Sequence, residues 1–208
     1  MLVSDKVRNC FFGDLPIGSS AVITPVERIY RQLLEGNSYK TAAGWYKTAF
    51  LPDLDTTVVK THQGRSVIDV LHALQTKRTL HVGYCGSNNY DFPVGGVVFG
   101  STASHVREPG DYPCGPEYTI SENFVKVRSV DSILLDEGNP ADSDFFDMES
   151  YWVYRFSERP LSIMLVTDSP IVEPFYDVRL GDLRVEYGFR KLISTARNMM
   201  EATLWLSE

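Results

Sequence analysis

The stretch DFFDMESYWVYRFSERPLSIMLVTDSP, residues 144–170, decides the fold of this chain. Asp144 to Met148 reads as a short strand, and a helix follows from Glu149 to about Glu158. Arg159-Pro160 ends that helix, because a proline ring drives the residue before it out of helical backbone. Leu161 to Val166 is then an apolar run of strand length, the pattern of a strand buried on both faces. Strand, helix and strand in so short a span form a βαβ unit, with parallel strands and a right-handed crossover.

The same alternation runs outward from there. Ala21 to Thr24 is a short buried strand, and Pro25 suits the start of a helix from Val26 to Glu35, which Gly36-Asn37 stops. Gly44–Leu51 and Thr56–Thr61 read as strands joined by a Pro52-Asp53 turn, and Ser66 caps a helix reaching Leu74. Thr79–Val82 runs into a glycine-rich turn at Gly83–Asn89, and Gly96–Ser101 and Phe124–Val130 are further strands. Residues 105–118, with three prolines and two glycines, form a loop at an active site or interface. Apolar residues at 189, 192, 193, 196, 199, 200, 203 and 204 make Leu183–Leu206 a long amphipathic helix. The fold class is therefore α/β, with a largely parallel sheet in a single domain over residues 1–208.

Composition narrows the function. Twenty basic against 27 acidic residues give a net charge of −7, with no Lys/Arg cluster, which argues against a nucleic-acid polymer as partner. No run approaches the ~18 apolar residues of a membrane span. The N-terminal stretch lacks the layout of a secretory signal. Three cysteines (Cys10, Cys85, Cys114) and four scattered histidines show neither a disulfide framework nor metal-ligand spacing. The expectation is a cytoplasmic protein without a metal. Cys85 has no His/Asn partner pattern around it and reads as a packing residue.

Two carboxyl groups stand out. In a βαβ unit the parallel strands end on one edge of the sheet, so Glu149 after the first strand and Asp168 at the end of the second converge on one crevice. Two carboxyls in a cleft suit cleavage of a glycosidic bond through an oxocarbenium-like transition state: one stays ionised beside the cation, the other protonates the leaving group. A plainer reading fits the same residues, as a helix cap and a strand end with solvated carboxylates.

Phe146-Asp147-Met148-Glu149-Ser150 and Val166-Thr167-Asp168 resemble the paired signatures of the nucleoside phosphorylase/nucleosidase superfamily. Leu80-His81-Val82-Gly83-Tyr84-Cys85-Gly86 followed by Pro93–Val98 is similar to its strand–glycine–strand block, and Ala21–Arg28 to the phosphate-loop region of its phosphorylases. The resemblance spans about residues 19 to 206. It implies an α/β/α sandwich with a mixed central sheet and a homo-oligomer, dimer or hexamer, whose sites neighbouring subunits complete. It also implies a small-molecule nucleoside or nucleotide as substrate and no cofactor beyond phosphate as co-substrate in a phosphorylase. By position, Glu149 binds the ribose 2′- and 3′-hydroxyls, Met148 packs on the sugar, and Asp168 protonates the departing base. Gly83, Tyr84, Cys85 and Gly86 line the site, Arg28 matches a phosphate-binding arginine, and His105 falls near the sugar's 5′ end.

The chain departs from the pattern where phosphate is held. His81 and Tyr84 occupy positions that phosphorylases give to an arginine and a Ser or Thr, and Thr24 replaces a glycine. A phosphate dianion needs fixed cations and small donors, so the departures favour hydrolysis. A homologue that binds a nucleoside-like ligand without turning it over is the alternative. Only Cys10-Phe11-Phe12 is available as the usual first strand, and base selectivity rests on the 105–118 and 171–182 loops.

Overall fold

The structure, a computed structural model, describes residues 4–116, 118, 123–131, 144–169, 173 and 181–205. Its organising element is β5 (Arg78–Ser87), to which β10 (Arg159–Asp168) pairs in parallel along nearly the whole length. On the opposite edge of β5, β1 (Ser20–Thr24) pairs in parallel with residues 78–81 only. Beyond β1 the sheet continues through β4 (Thr56–Lys60), β3 (Lys47–Leu51) and β2 (Lys40–Thr41). From β10 it continues the other way through β6 (Val97–His105), β8 (Phe124–Ser129) and β9 (Phe145–Asp147). The short β7 (Tyr112–Pro113) pairs with β6. Because β9 then pairs with Gly86 and Ser87, strands β5, β10, β6, β8 and β9 close into a ring.

Helices cover both faces. On one side α1 (Asp5–Phe12), α3 (Val67–Leu74) and α4 (Ser150–Phe156) pack together; on the other, α2 (Glu27–Leu34) packs on α5 (Leu183–Trp205). Period 2 along β5 separates two cores. Leu80 and Val82 join the large cluster shared with the helices, while Cys85 joins Val98, Val125, Val127, Phe145, Met164 and Val166 inside the ring. Among the described residues no helix is long and apolar enough to cross a membrane.

The α/β reading holds, with corrections. The sheet is mixed in equal parts: five ladders are parallel and five antiparallel. In particular β9 lies antiparallel to β5 and β10 parallel to it, so the two strands flanking α4 run in opposite directions. Periodicity carries no information on strand direction, which long-range pairing sets. Gly83–Ser87 is strand rather than turn. Cys10–Phe12 belongs to α1, which Ser4 caps by accepting the Val7 N–H. Ser66 does not cap α3; its hydroxyl donates to Gln63 O within the 3-10 turn Gly64–Ser66. The 171–182 loop lies outside the described residues except for Glu173, Gly181 and Asp182.

One hydroxyl finishes the ring. The β10–β6 ladder ends at Ile163↔Phe99, and beyond it the Tyr154 hydroxyl donates to Gly100 O at 2.6 Å and accepts from Ser162 N at 3.0 Å. A side chain at Gly100 would put its Cβ 2.6 Å from that oxygen. Tyr154→Phe strands both backbone groups and is expected to cost about 2–4 kcal/mol, read as a lower urea midpoint at unchanged slope. An unchanged midpoint would show that the strands close on each other without the hydroxyl.

Candidate active site

The ring leaves an opening in β5. On the edge where β1 pairs up to His81 and β9 pairs from Gly86, no ladder among the described residues covers residues 82–85. Such a parting of strands is where open α/β sheets take their ligands. Thr24 ends β1 beside it, Met148 and Glu149 follow β9, and α2 begins with Arg28 in its first turn.

Glu149 is not the solvated helix cap of the plainer reading. It is 4% exposed, makes no side-chain cap bond, and its Oε1 accepts the Gly64 N–H at 2.6 Å. Gly64 has φ +69°, a conformation that favours glycine, and the Met148 methyl lies beside it. Glu149 Oε2 is 3.9 Å from His81 Nε2, and His81 Nδ1 is 4.0 Å from Asp147 Oδ2. Burial, reinforced by the negative charge of Asp147, pushes the Glu149 carboxyl up to about 8. Burial pushes His81 down, against the pull of Asp147. Gly83 is required by this group and not by a turn, since a Cβ there would lie 2.7 Å from His81 Nε2.

Asp168 ends β10 in register with Gly86, after an irregularity between Val166 and Asp168, and accepts the Thr167 hydroxyl at 2.9 Å. Both carboxyls therefore border β5, Asp168 by the pairing of β10 and Glu149 by the return of the chain after β9. Cys85 is buried inside the ring with its thiol pushed up by burial, in keeping with packing. Tyr84 is half-buried, and the Arg28 charge partly offsets the rise that burial imposes on its phenol. Arg28 itself is committed: both terminal nitrogens bind Glu186 at 2.7 Å, and the guanidinium lies 3.9 Å from the Phe189 ring centre. His105 is packed between Tyr151 and Trp152, and its Nδ1 accepts from the Arg107 and Glu108 backbone. His105 is thus the last residue of β6 rather than a loop residue, tied to the turn that follows it.

Sequence reasoning named His81 and Glu149 as site residues but missed Asp147 and the grouping of the three, whose members come from two strands and a loop. Their ligating atoms lie within 4.8 Å of one another. Asp147 already accepts from the Ser129 hydroxyl and the Ser150 N–H, and Glu149 from Gly64. The carboxylates are thus engaged by the protein rather than displayed to a cation.

No protein-family model and no curated protein sequence matches the chain. Solved structures do match its fold. A purine nucleoside phosphorylase from Toxoplasma gondii in complex with immucillin-H superimposes with a TM-score of 0.73 at 14% identity, over 89% of this chain and 93% of that one. A 5′-methylthioadenosine/S-adenosyl homocysteine nucleosidase from Campylobacter jejuni gives 0.70 at 13%, over 88% and 97%. A uridine phosphorylase from Vibrio fischeri gives 0.69 at 16%, over 87% and 90%. The chain has the nucleoside phosphorylase/nucleosidase fold.

The raised Glu149 carboxyl has a consequence for stability. Its folded-state pKa lies above the ordinary carboxylate value, so the folded protein holds a proton that the unfolded chain releases. That contribution weakens as pH rises from about 4.5 to about 8. His81 acts oppositely, costing stability as pH falls below its ordinary value of 6.5. Glu149→Gln should therefore raise the melting temperature at pH 8 and much less at pH 5, with the difference between variant and wild type followed across that window. A flat difference would mean that Glu149 is ionised when buried.

Proposed function

We propose that this protein cleaves the N-glycosidic bond of a nucleoside or related nucleotide, with water as the acceptor. The observation that carries the reading is that two carboxyls border β5, Glu149 with its Oε2 3.9 Å from His81 Nε2 and Asp168 in register with Gly86. Glu149 takes the 2′- and 3′-hydroxyls and Met148 packs on the sugar. Hydroxyl donors favour the ionised carboxylate, so binding draws the Glu149 proton off and leaves a negative charge beside the developing oxocarbenium ion. Asp168 carries the proton to a ring nitrogen of the leaving base.

Hydrolysis is supported by the state of the phosphate-side residues. Arg28 has given its two-pronged donor set to Glu186, and a phosphate dianion would have to displace that carboxylate. His81 is fully buried and neutral, and offers no fixed cation. Water needs neither. Assembly into a homo-oligomer belongs to the same proposal.

Two measurements test the reading. Base release from a nucleoside panel should proceed in phosphate-free buffer, give free sugar, and not accelerate on adding phosphate; a several-fold phosphate dependence with sugar 1-phosphate as product would overturn hydrolysis. Asp168→Asn should keep the fold and lower turnover by about 10²-fold or more. A near wild-type rate would remove Asp168 from the acid role, and nucleoside binding with no release by the wild type would select the silent alternative.

A further inference from the structure

The imidazole of His81 is sealed completely inside the protein, yet its Nε2 has no hydrogen-bond partner. Buried polar atoms are almost always paired, and here a Glu149 carboxyl oxygen stands 3.9 Å away. The other side of the ring explains which nitrogen carries the proton. Ser150 Oγ donates to Ser162 Oγ at 2.8 Å; its competing acceptor, the Met164 sulfur at 3.6 Å, is a weak one. Ser162 Oγ lies 3.2 Å from His81 Nδ1. A hydroxyl has one hydrogen, and Ser162, which already accepts from Ser150, turns its own toward Nδ1. The neutral ring then bears its proton on Nε2, facing Glu149.

The other ionisable groups around the pair leave this assignment undisturbed. Asp147 Oδ2 is beyond hydrogen-bond distance from Nδ1, and its oxygens already accept from Ser129 and Ser150. Cys85, two positions beyond Gly83 on the same face of β5, is neutral because burial holds its thiol up. On the far side of Glu149 the 3-10 turn presents only the Gly64 N–H.

We propose that His81 is a positioning residue for Glu149: the Ser150–Ser162 hydroxyl chain fixes its Nε2–H as a reserve donor that closes on the carboxylate when a vicinal diol is bound. The proposal rests on Glu149 being the diol ligand. Without the imidazole donor, an ionised Glu149 has only backbone N–H groups of the protein to answer its charge, and it resists ionising. The step moves no electrons; the carboxyl proton leaves to solvent as the diol hydroxyls and the Nε2–H take its place.

The test begins in the ligand-free protein, where it does not depend on turnover. Nitrogen-15 imidazole spectra should show His81 as the Nε2–H tautomer, and Ser162→Ala should abolish that preference. Carbon-13 carboxyl titration should find Glu149 shifted upward by about one pH unit in His81→Leu, a tenfold change in its ionised fraction at fixed pH, with partial recovery in His81→Gln. With a riboside as substrate, the acid limb of kcat/KM should move by the same amount, and a 2′-deoxyriboside should lose several-fold less. An Nδ1–H tautomer, or a Glu149 titration unmoved in His81→Leu, overturns the proposal. Should His81→Leu fail to fold, the wild-type tautomer and Ser162→Ala decide it. If the wild type cleaves no nucleoside, the enzymatic reading fails while the spectra still judge His81.

Discussion

Along its ten residues β5 keeps β10 on one edge but changes partner on the other, from β1 at residues 78–81 to β9 at Gly86 and Ser87. A strand cannot serve an open sheet and a closed ring at once without such an exchange, and among the described residues it leaves four positions unpaired on one edge. The candidate residues border β5 on both of its edges. β1 delivers Thr24 and α2 behind it, β9 delivers Met148 and Glu149, and β10 holds Asp168 against Gly86. Unpaired backbone at the parting of two strands is also the place where a ligand replaces hydrogen bonds that the protein does not make for itself.

The closed end of the ring is filled differently from its middle. Cys85, Val98, Val127 and Met164 pack there as an ordinary apolar core, whereas His81, Asp147, Ser129, Ser150 and Ser162 form a buried polar group where α4 begins. Asp147 is satisfied by the Ser129 hydroxyl and the Ser150 N–H, and Ser129 in turn accepts the Tyr151 N–H. Burial first, and the neighbouring Asp147 second, push the Glu149 carboxyl up to about 8. A neutral carboxyl and a neutral imidazole side by side need no countercharge.

The surface facing α2 and α5 carries the complementary constraint. Arg28, stacked on Phe189 and paired with Glu186, ties the first turn of α2 to the first turn of α5. The charge that would recruit an anion instead holds two helices together. The proposal of water as the acceptor rests on this arrangement together with the departures at Thr24, His81 and Tyr84.

Much of this was present in the residues before folding. Apolar runs of strand length, the helix stop at Arg159-Pro160, the 3.6-residue period of 183–205 and the signatures around Glu149 and Asp168 gave the α/β class and the two carboxyls, because burial patterns are local. Strand direction was not local: β9 and β10 look alike in the sequence, and only their shared partner β5 shows that they run oppositely. Gly83 looked like a turn residue because glycine permits turns, but in the fold it makes room for an imidazole. The sequence by itself determined which residues are apolar, which end a helix and which carry a carboxyl. The tertiary structure alone decided that Glu149 is buried beside Asp147 and His81, and that Arg28 is spent on Glu186. Protonation and pairing depend on neighbours distant in the chain, and those distances exist only once the sheet has closed.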